Sequence, residues 1–403
     1  MAIMAMPSGR FSCFSHGSVV TGDLMMRILV VANLPPYVLG GAENQVARLV
    51  EAWADQGYRV AVAGHRIPSG VLRLGGAEIR TYHLAVSNRA GRGGKAASYF
   101  FSMARLLHRI KRNFDVIYCR GLGDGAISIC VLKAIKEVRL PLLACPINAK
   151  GDGDSHFIRS IPGWRLLVGM INRQCDAINL IAPAIGADLE ELGIQGPRIA
   201  RIPNGIKLGA PVQKSSVASI RRLVWTGRLT AQKGIDILLE ALSKVVAAGR
   251  EFRLEIIGSG PDSALLLQQC RQLGLEKKVR FAGAVAQDAM RTQLAEADVF
   301  LLPSRYEGMS NAALEAMEAG LPVLLTRCGG MDTYIDESIG WICEPENVDE
   351  LTTALLKMLD TPADQVVAMG HRARLLVERN FQIEKIAQRN AELLKELVEA
   401  SLH

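Results

Sequence analysis

Ten short, mostly apolar runs recur along this chain, and stretches with helical spacing separate them. In the first half they are RILVVA (27–32), YRVAVAG (58–64), FDVIYC (114–119), LPLLAC (140–145) and DAINLIA (176–182). In the second half they are RRLVWTG (221–227), RLEIIG (253–258), KVRFAG (278–283), DVFLLP (298–303) and LPVLLT (321–326). A strand that is apolar on both sides must be covered on both faces, so such runs describe parallel sheets joined by crossover helices. Segments such as GIDILLEALSKVVAAG (234–249) supply those helices. The pattern starts afresh near residue 220, after the polar stretch KLGAPVQKSSVAS (207–219). At 403 residues the chain is long enough for two cores of ordinary size. The expected architecture is two doubly wound α/β domains facing each other.

The expected boundaries are a leader at 1–26, a first domain at 27–206, a linker at 207–219, a second domain at 220–380 and a terminal helix at 381–403. Ser, Gly, His and Arg interrupt every candidate apolar stretch of the leader, which argues against a signal peptide. No apolar run is long enough to cross a membrane. Eight scattered cysteines without a C-x-x-C pair fit small core residues in a reducing compartment, and predict neither disulfides nor a zinc site. Charge divides unevenly: residues 1–215 carry 26 Lys+Arg against 14 Asp+Glu, and the remainder 21 against 26. A basic half beside an acidic half points to different partners for the two.

Ligands of doubly wound sheets bind where the carboxyl ends of strands turn into helices. Those turns here are rich in Gly, Pro, Asn and cations: NLPPYVLGGAEN, IPNGIK, GRLTAQKG, IGSGPD and PSRYEGMSN. The last of them holds Glu307, and Glu315 follows eight positions on, the first in a loop and the second in a helix. Ser310 is a suitable cap for a helix starting near Asn311. The free backbone N–H groups over 311–313 would then bind an anion at the positive end of the helix. Glu315 is placed to accept from the vicinal diol of a ribose, and Glu307 from a second polyol beyond a diphosphate. In GRLTAQKG, Arg228 and Lys233 straddle a turn and can neutralise a departing diphosphate, Arg as a fork and Lys as a point charge. With a helix dipole added, no metal is required. The plainer alternative is a capped surface helix beside solvated cations.

Residues 221–345 closely resemble the nucleotide-sugar domain of family 4 glycosyltransferases of the GT-B type. GRLTAQKGIDILLEAL, LEIIGSGP, VRFAG, PSRYEGMSNAALEAMEAGLPV and the glycine pair at 329–330 carry the likeness. GGAENQVARLVEAWADQGYRV (40–60) and IPNGI (202–206) extend it more weakly over the first half. The resemblance implies two facing Rossmann-like domains with a C-terminal helix returning to the first. It also implies retaining, metal-independent transfer of a sugar from a nucleotide-sugar, which is substrate rather than cofactor. Carried over by position, Glu307 contacts the donor sugar, Arg228 and Lys233 bind the diphosphate, and Glu315 holds the ribose. Gly308, Met309, Ser310 and Asn311 serve the sugar and phosphates through backbone groups. Gly40 and Gly41 let the first domain approach from across the cleft, and Gly227, Gly258 and Gly283 complete the donor turns. A UDP-sugar is the first expectation and GDP-mannose the next, with the base read near 282–286.

The sequence departs from the family pattern after LPLLAC, where many members carry a histidine. Here the loop is PINAKGDGDSH, with Asn148 or Lys150 in that neighbourhood and His156 reading as a helix-start residue. Asn148, Lys150, Asp152 and Asp154 are the candidate acceptor contacts. Asp152 and Asp154 form a D-x-D, yet they fall in the domain opposite the donor signature and lack a third ligand, so no metal site is expected. FFSMARLLHRIKRNFD (100–115) reads as a crossover helix with Phe100, Met103, Leu107, Ile110 and Phe114 on its inner side. Its cations, with RSIPGWRLL (159–167), are candidates to meet an anionic membrane or a polyprenyl-diphosphate acceptor. A cytoplasmic enzyme, or one peripheral at the inner membrane face, building a bacterial surface glycan is the leading expectation. The alternatives are transfer to a soluble acceptor and a catalytically weakened nucleotide-sugar-binding subunit. GSG at 258–260 lacks the remaining glycine of a dinucleotide fingerprint, and no nucleic-acid module accompanies the basic half.

Overall fold

The computed structural model describes residues 25–87, 91–151, 153–211 and 221–402. The expected leader up to residue 24, Asp152 and most of the linker lie outside these residues. Met26, assigned to the leader from sequence, is buried in the core of the first domain.

The first sheet has eight strands in the order β3-β4-β2-β1-β5-β6-β7-β8. They are β1 (Arg27–Val31), β2 (Arg59–Gly64), β3 (Gly70–Leu74), β4 (Ala77–His83), β5 (Val116–Arg120), β6 (Leu142–Cys145), β7 (Ala177–Asn179) and β8 (Arg198–Ala200). All neighbours are parallel except β3 and β4. The central strands β1, β5 and β6 are buried along almost their whole length, as their apolar sequences require. β3 and β4 form an antiparallel hairpin at the edge, turning at Gly75 and Gly76. Its polar, alternating sequence escaped the search for continuous apolar runs. The helices are α1 (Gly41–Asp55), α2 (Gly91–Ile110), α3 (Asp124–Ala134), α4 (Asp154–Arg159), α5 (Trp164–Gln174) and α6 (Pro183–Leu192).

The second sheet is wholly parallel, in the order β11-β10-β9-β12-β13-β14. Its strands are β9 (Arg221–Thr226), β10 (Phe252–Ile257), β11 (Val279–Gly283), β12 (Val299–Leu302), β13 (Val323–Thr326) and β14 (Gly340–Cys343). Around it lie α7 (Ile235–Ala247), α8 (Ser263–Gln272), α9 (Gln287–Glu296), α10 (Asn311–Glu318), α11 (Val348–Asp360) and α12 (Ala363–Asn380). Successive residues of β9 enter different cores: Leu223 and Trp225 pack on one face and Val224 on the other. That division is the period of two expected of a strand covered on both sides.

The chain crosses back at Phe381, where Ile206 N–H donates to the Phe381 carbonyl at 2.7 Å and Ile383 N–H to the Ile206 carbonyl at 3.0 Å. The last helix, α13 (Ile383–Ala400), then packs on α1 of the first domain. Buried Trp53 donates its indole N–H to the Ala387 carbonyl at 2.9 Å. One continuous core therefore runs from the first sheet through α13 and α10 into the facing side of the second.

Candidate active site

β12 ends at Leu302, and the following loop carries Glu307 into a buried position, 4% exposed. Its carboxylate accepts from Ser304 Oγ at 2.8 Å and from Lys233 Nζ at 2.5 Å, which matches a buried charge with a cation and a hydroxyl. Gly330 lies against this loop: a side chain there would press into the Gly308 carbonyl and against Glu307 Cβ. Ser310 caps α10, its Oγ accepting from Ala313 N–H at 3.3 Å, so the positive helix end opens beside Glu307.

Lys233 ends a short 3-10 turn (Ala231–Lys233) after β9, and exposed Arg228 lies in the loop that leads from β9 into it. The turn is pinned from the Glu307 loop. Arg305 forks onto Asp236 at 2.7 and 2.9 Å and takes the Ala231 carbonyl, while Gln232 donates to the Tyr306 carbonyl at 3.0 Å. Burial pushes the Asp236 carboxyl up, but the Arg305 bonds and charge outweigh it and hold the group below its ordinary range. Arg305 and Asp236 both lie inside the donor segments, yet sequence reasoning missed them because their pairing spans 69 positions and no local pattern marks it. Gly227, Gly258 and Gly283 stand side by side at the ends of β9, β10 and β11. Gly227 N–H donates to the Ile257 carbonyl at 3.0 Å, and Gly258 N–H to the Gly283 carbonyl at 2.7 Å. A side chain on Gly258 would overlap the Gly227 carbonyl.

The first domain closes directly onto these elements. Gly40 caps α1, and the Gly41 carbonyl accepts from Asn311 Nδ2 at 2.5 Å. Asn311 Oδ1 in turn accepts from Asn204 Nδ2 at 3.1 Å, and Asn204 N–H approaches Met309 Sδ at 3.1 Å. Asn204 belongs to the IPNGI stretch, which thus ties the first domain to the donor loop. Gly308 meets Ile147 so closely that a Cβ would run into the Ile147 carbonyl oxygen. Glu315, one turn into α10, is ion-paired with Arg48 of α1 at 2.5 Å.

On the acceptor side, Asn148 is half-buried and Lys150 exposed with φ of 55°, in the loop facing Gly308. Asp154 opens α4, and its two carboxylate oxygens accept from Leu122 N–H at 2.6 Å and Ile147 N–H at 2.9 Å. Burial pushes this carboxyl up and the backbone bonds pull it down, with a net rise. Those bonds make Asp154 a clamp between the loops after β5 and β6. His156 is exposed within α4. No cluster of His, Cys, Asp and Glu suited to a metal ion occurs among the described residues. A cleft of about 210 Å³, lined by Asn33, Glu43, His65, Tyr99, Arg120 and Asp124, lies beside Ile147 in the first domain. A larger hollow at Arg222, Arg253 and Lys278 lies at the opposite, amino-terminal ends of the second sheet's strands, away from these groups.

Two family models match this chain: a glycosyl transferase 4-like domain over residues 40–205 and glycosyl transferases group 1 over 220–361. A GDP-mannose-dependent monoacylated alpha-(1-6)-phosphatidylinositol monomannoside mannosyltransferase of Corynebacterium glutamicum is 28% identical, over 63% of this chain and 74% of that one. The putative colanic acid biosynthesis glycosyltransferase WcaL of Escherichia coli is also 28% identical, over 56% of this chain and 58% of its own, so only a little over half of that relative is matched. Among solved structures, Anabaena Alr3699/HepE in complex with UDP and glucose superposes with a TM-score of 0.73 at 21% identity. It covers 92% of this chain and 99% of that one, a likeness of fold. The chain belongs to the group 1 glycosyltransferases, family 4-like and built on the GT-B fold.

Proposed function

We propose that the enzyme transfers a sugar, with retention and without a metal ion, from a nucleotide-sugar to a hydroxyl of a lipid-linked surface glycan. The convergence of Lys233, Glu307 and the capped start of α10 at one point carries this reading. Glu307 takes hydroxyls of the donor sugar, while Lys233, Arg228 and the α10 N–H groups neutralise the leaving diphosphate. Attack from the same face as the departing diphosphate gives retention without assigning Glu307 as nucleophile. Asn148 and Lys150 flank the acceptor. UDP-sugars are favoured and GDP-mannose follows; the C. glutamicum relative is named for GDP-mannose and the Anabaena structure holds UDP.

The lipid-linked acceptor is supported by the surface-glycan relative and by the outer face of α2. There Phe101 and Ile135, both more than half exposed, flank a groove with Arg105, His108 and Arg109. Apolar side chains among cations suit the inner membrane face, where anionic headgroups meet acyl chains. Among the described residues no helix is long and apolar enough to cross a membrane.

A thermal-shift panel of UDP-, GDP- and ADP-sugars with and without EDTA tests the donor. A donor at about 100 times its dissociation constant adds roughly 2.7 kcal/mol. A shift from one donor that survives EDTA and is lost in Glu315→Ala is expected. A panel with no shift would sink the reading, and one that requires magnesium would remove the metal-free part. Flotation with anionic and neutral vesicles tests the acceptor side: Arg105→Glu with Arg109→Glu should abolish binding to anionic vesicles.

A further inference from the structure

Arg48 projects from the third turn of α1 across the cleft, and nothing in its local sequence marks it. Its side chain is 15% exposed, and Nη2 donates to Glu315 Oε1 at 2.5 Å. The other amino group, Nη1, is buried without a hydrogen-bond partner in the protein. A guanidinium is never deprotonated, so a buried N–H of this kind is costly unless a ligand oxygen accepts from it. The helix that carries Arg48, α1, packs against α10, whose start the proposed function assigns to the donor diphosphate. Through the bond from Asn311 to the Gly41 carbonyl, the positive ends of α1 and α10 are tied together.

We propose that Arg48 is a donor-binding residue supplied by the opposite domain: Nη2 fixes the Glu315 carboxylate for the ribose, and Nη1 donates to an oxygen of the nucleoside diphosphate. The inference rests on the reading of Glu315 as the ribose-binding group. It resolves an electrostatic conflict in that reading, since a carboxylate close to a diphosphate repels it. A cation shared between the two removes the repulsion. Because Arg48 and Glu315 lie in different domains, the same contact links donor binding to the approach of the domains.

Isothermal titration of UDP, GDP and ADP, and of the nucleoside matching whichever binds, tests this on wild type, Arg48→Gln, Arg48→Lys, Glu315→Gln and the Arg48→Gln/Glu315→Gln pair. Arg48→Gln should weaken the diphosphate at least about tenfold, which is about 1.4 kcal/mol. It should weaken the nucleoside much less, at an unchanged melting temperature. Arg48→Lys should recover part of the loss, and the double variant should lose less than the product of the two single effects. A merely structural Arg48 would weaken nucleoside and diphosphate alike, which overturns the inference. So does an Arg48→Gln protein that binds the diphosphate as well as wild type, or better, the result of an ion pair that competes with the ribose. In those cases the donor site itself stands. A wild-type protein that binds none of the three diphosphates overturns both the site and the inference.

Discussion

The buried carboxylate of Glu307 is matched by one cation and one hydroxyl, each from a different part of the second domain. Glu307→Gln keeps the side chain's shape and removes its charge. We expect kcat to fall at least about 100-fold, the size of losing one group that stabilises developing charge, while circular dichroism stays native. Asp154 makes a different prediction. Its carboxylate is the partner of two backbone N–H groups, so Asp154→Ala leaves both unpaired. Denaturant unfolding should show a loss of about 1–3 kcal/mol, and an unaltered midpoint would refute the clamp. Gln232, Arg305 and Asp236 show how little of this bonding is local, since each reaches an element distant in sequence.

Two elements each add a long-range side-chain bond to their packing. β1 starts at Arg27, whose guanidinium and backbone N–H both bond Asp115, just before β5, at 2.6 and 2.8 Å. The Arg27 bonds hold the Asp115 carboxyl below its ordinary value of about 3.9. A depressed carboxyl stabilises the fold fully above that value, and the contribution disappears as pH falls through the folded-state pKa. Urea midpoints of Asp115→Asn and wild type should therefore converge below about pH 3.9 and differ by under about 1 kcal/mol above it, because the pair is partly exposed. Helix α13 is bonded to the first domain by the Trp53 indole among other contacts. Trp53→Phe keeps the ring and loses that hydrogen bond, so about 1 kcal/mol of stability should go. Hydrogen exchange should rise first over 387–397, and unchanged protection there would show that the helix does not depend on this bond.

At the scale of the molecule, the two sheets meet with almost no space between the donor and acceptor loops. Gly308 against the Ile147 carbonyl is the tightest statement of this. Gly308→Ala should hold the loops apart. The expectation is at least a tenfold loss of kcat with a larger radius of gyration by small-angle scattering and little change in the unfolding midpoint. Equal activity would mean that the approach is not required for transfer.

Much of this was legible in the sequence because it is local chemistry. Parallel strands declare themselves by apolar residues on both faces, and Ser310 declares a helix start by its position before LEAM. The eight-residue separation of Glu307 and Glu315 fixes that a helix start lies between two carboxylates. The β3–β4 hairpin stayed hidden because an edge pair needs no continuous apolar run. The partners of those carboxylates were hidden for a deeper reason. Arg48 is 267 positions from Glu315, and the IPNGI asparagine is 107 from Asn311. No periodicity or propensity acts across such distances. Side chains that far apart become neighbours only when two separately specified domains and one returning helix are packed together, so tertiary structure alone decided what the donor site faces.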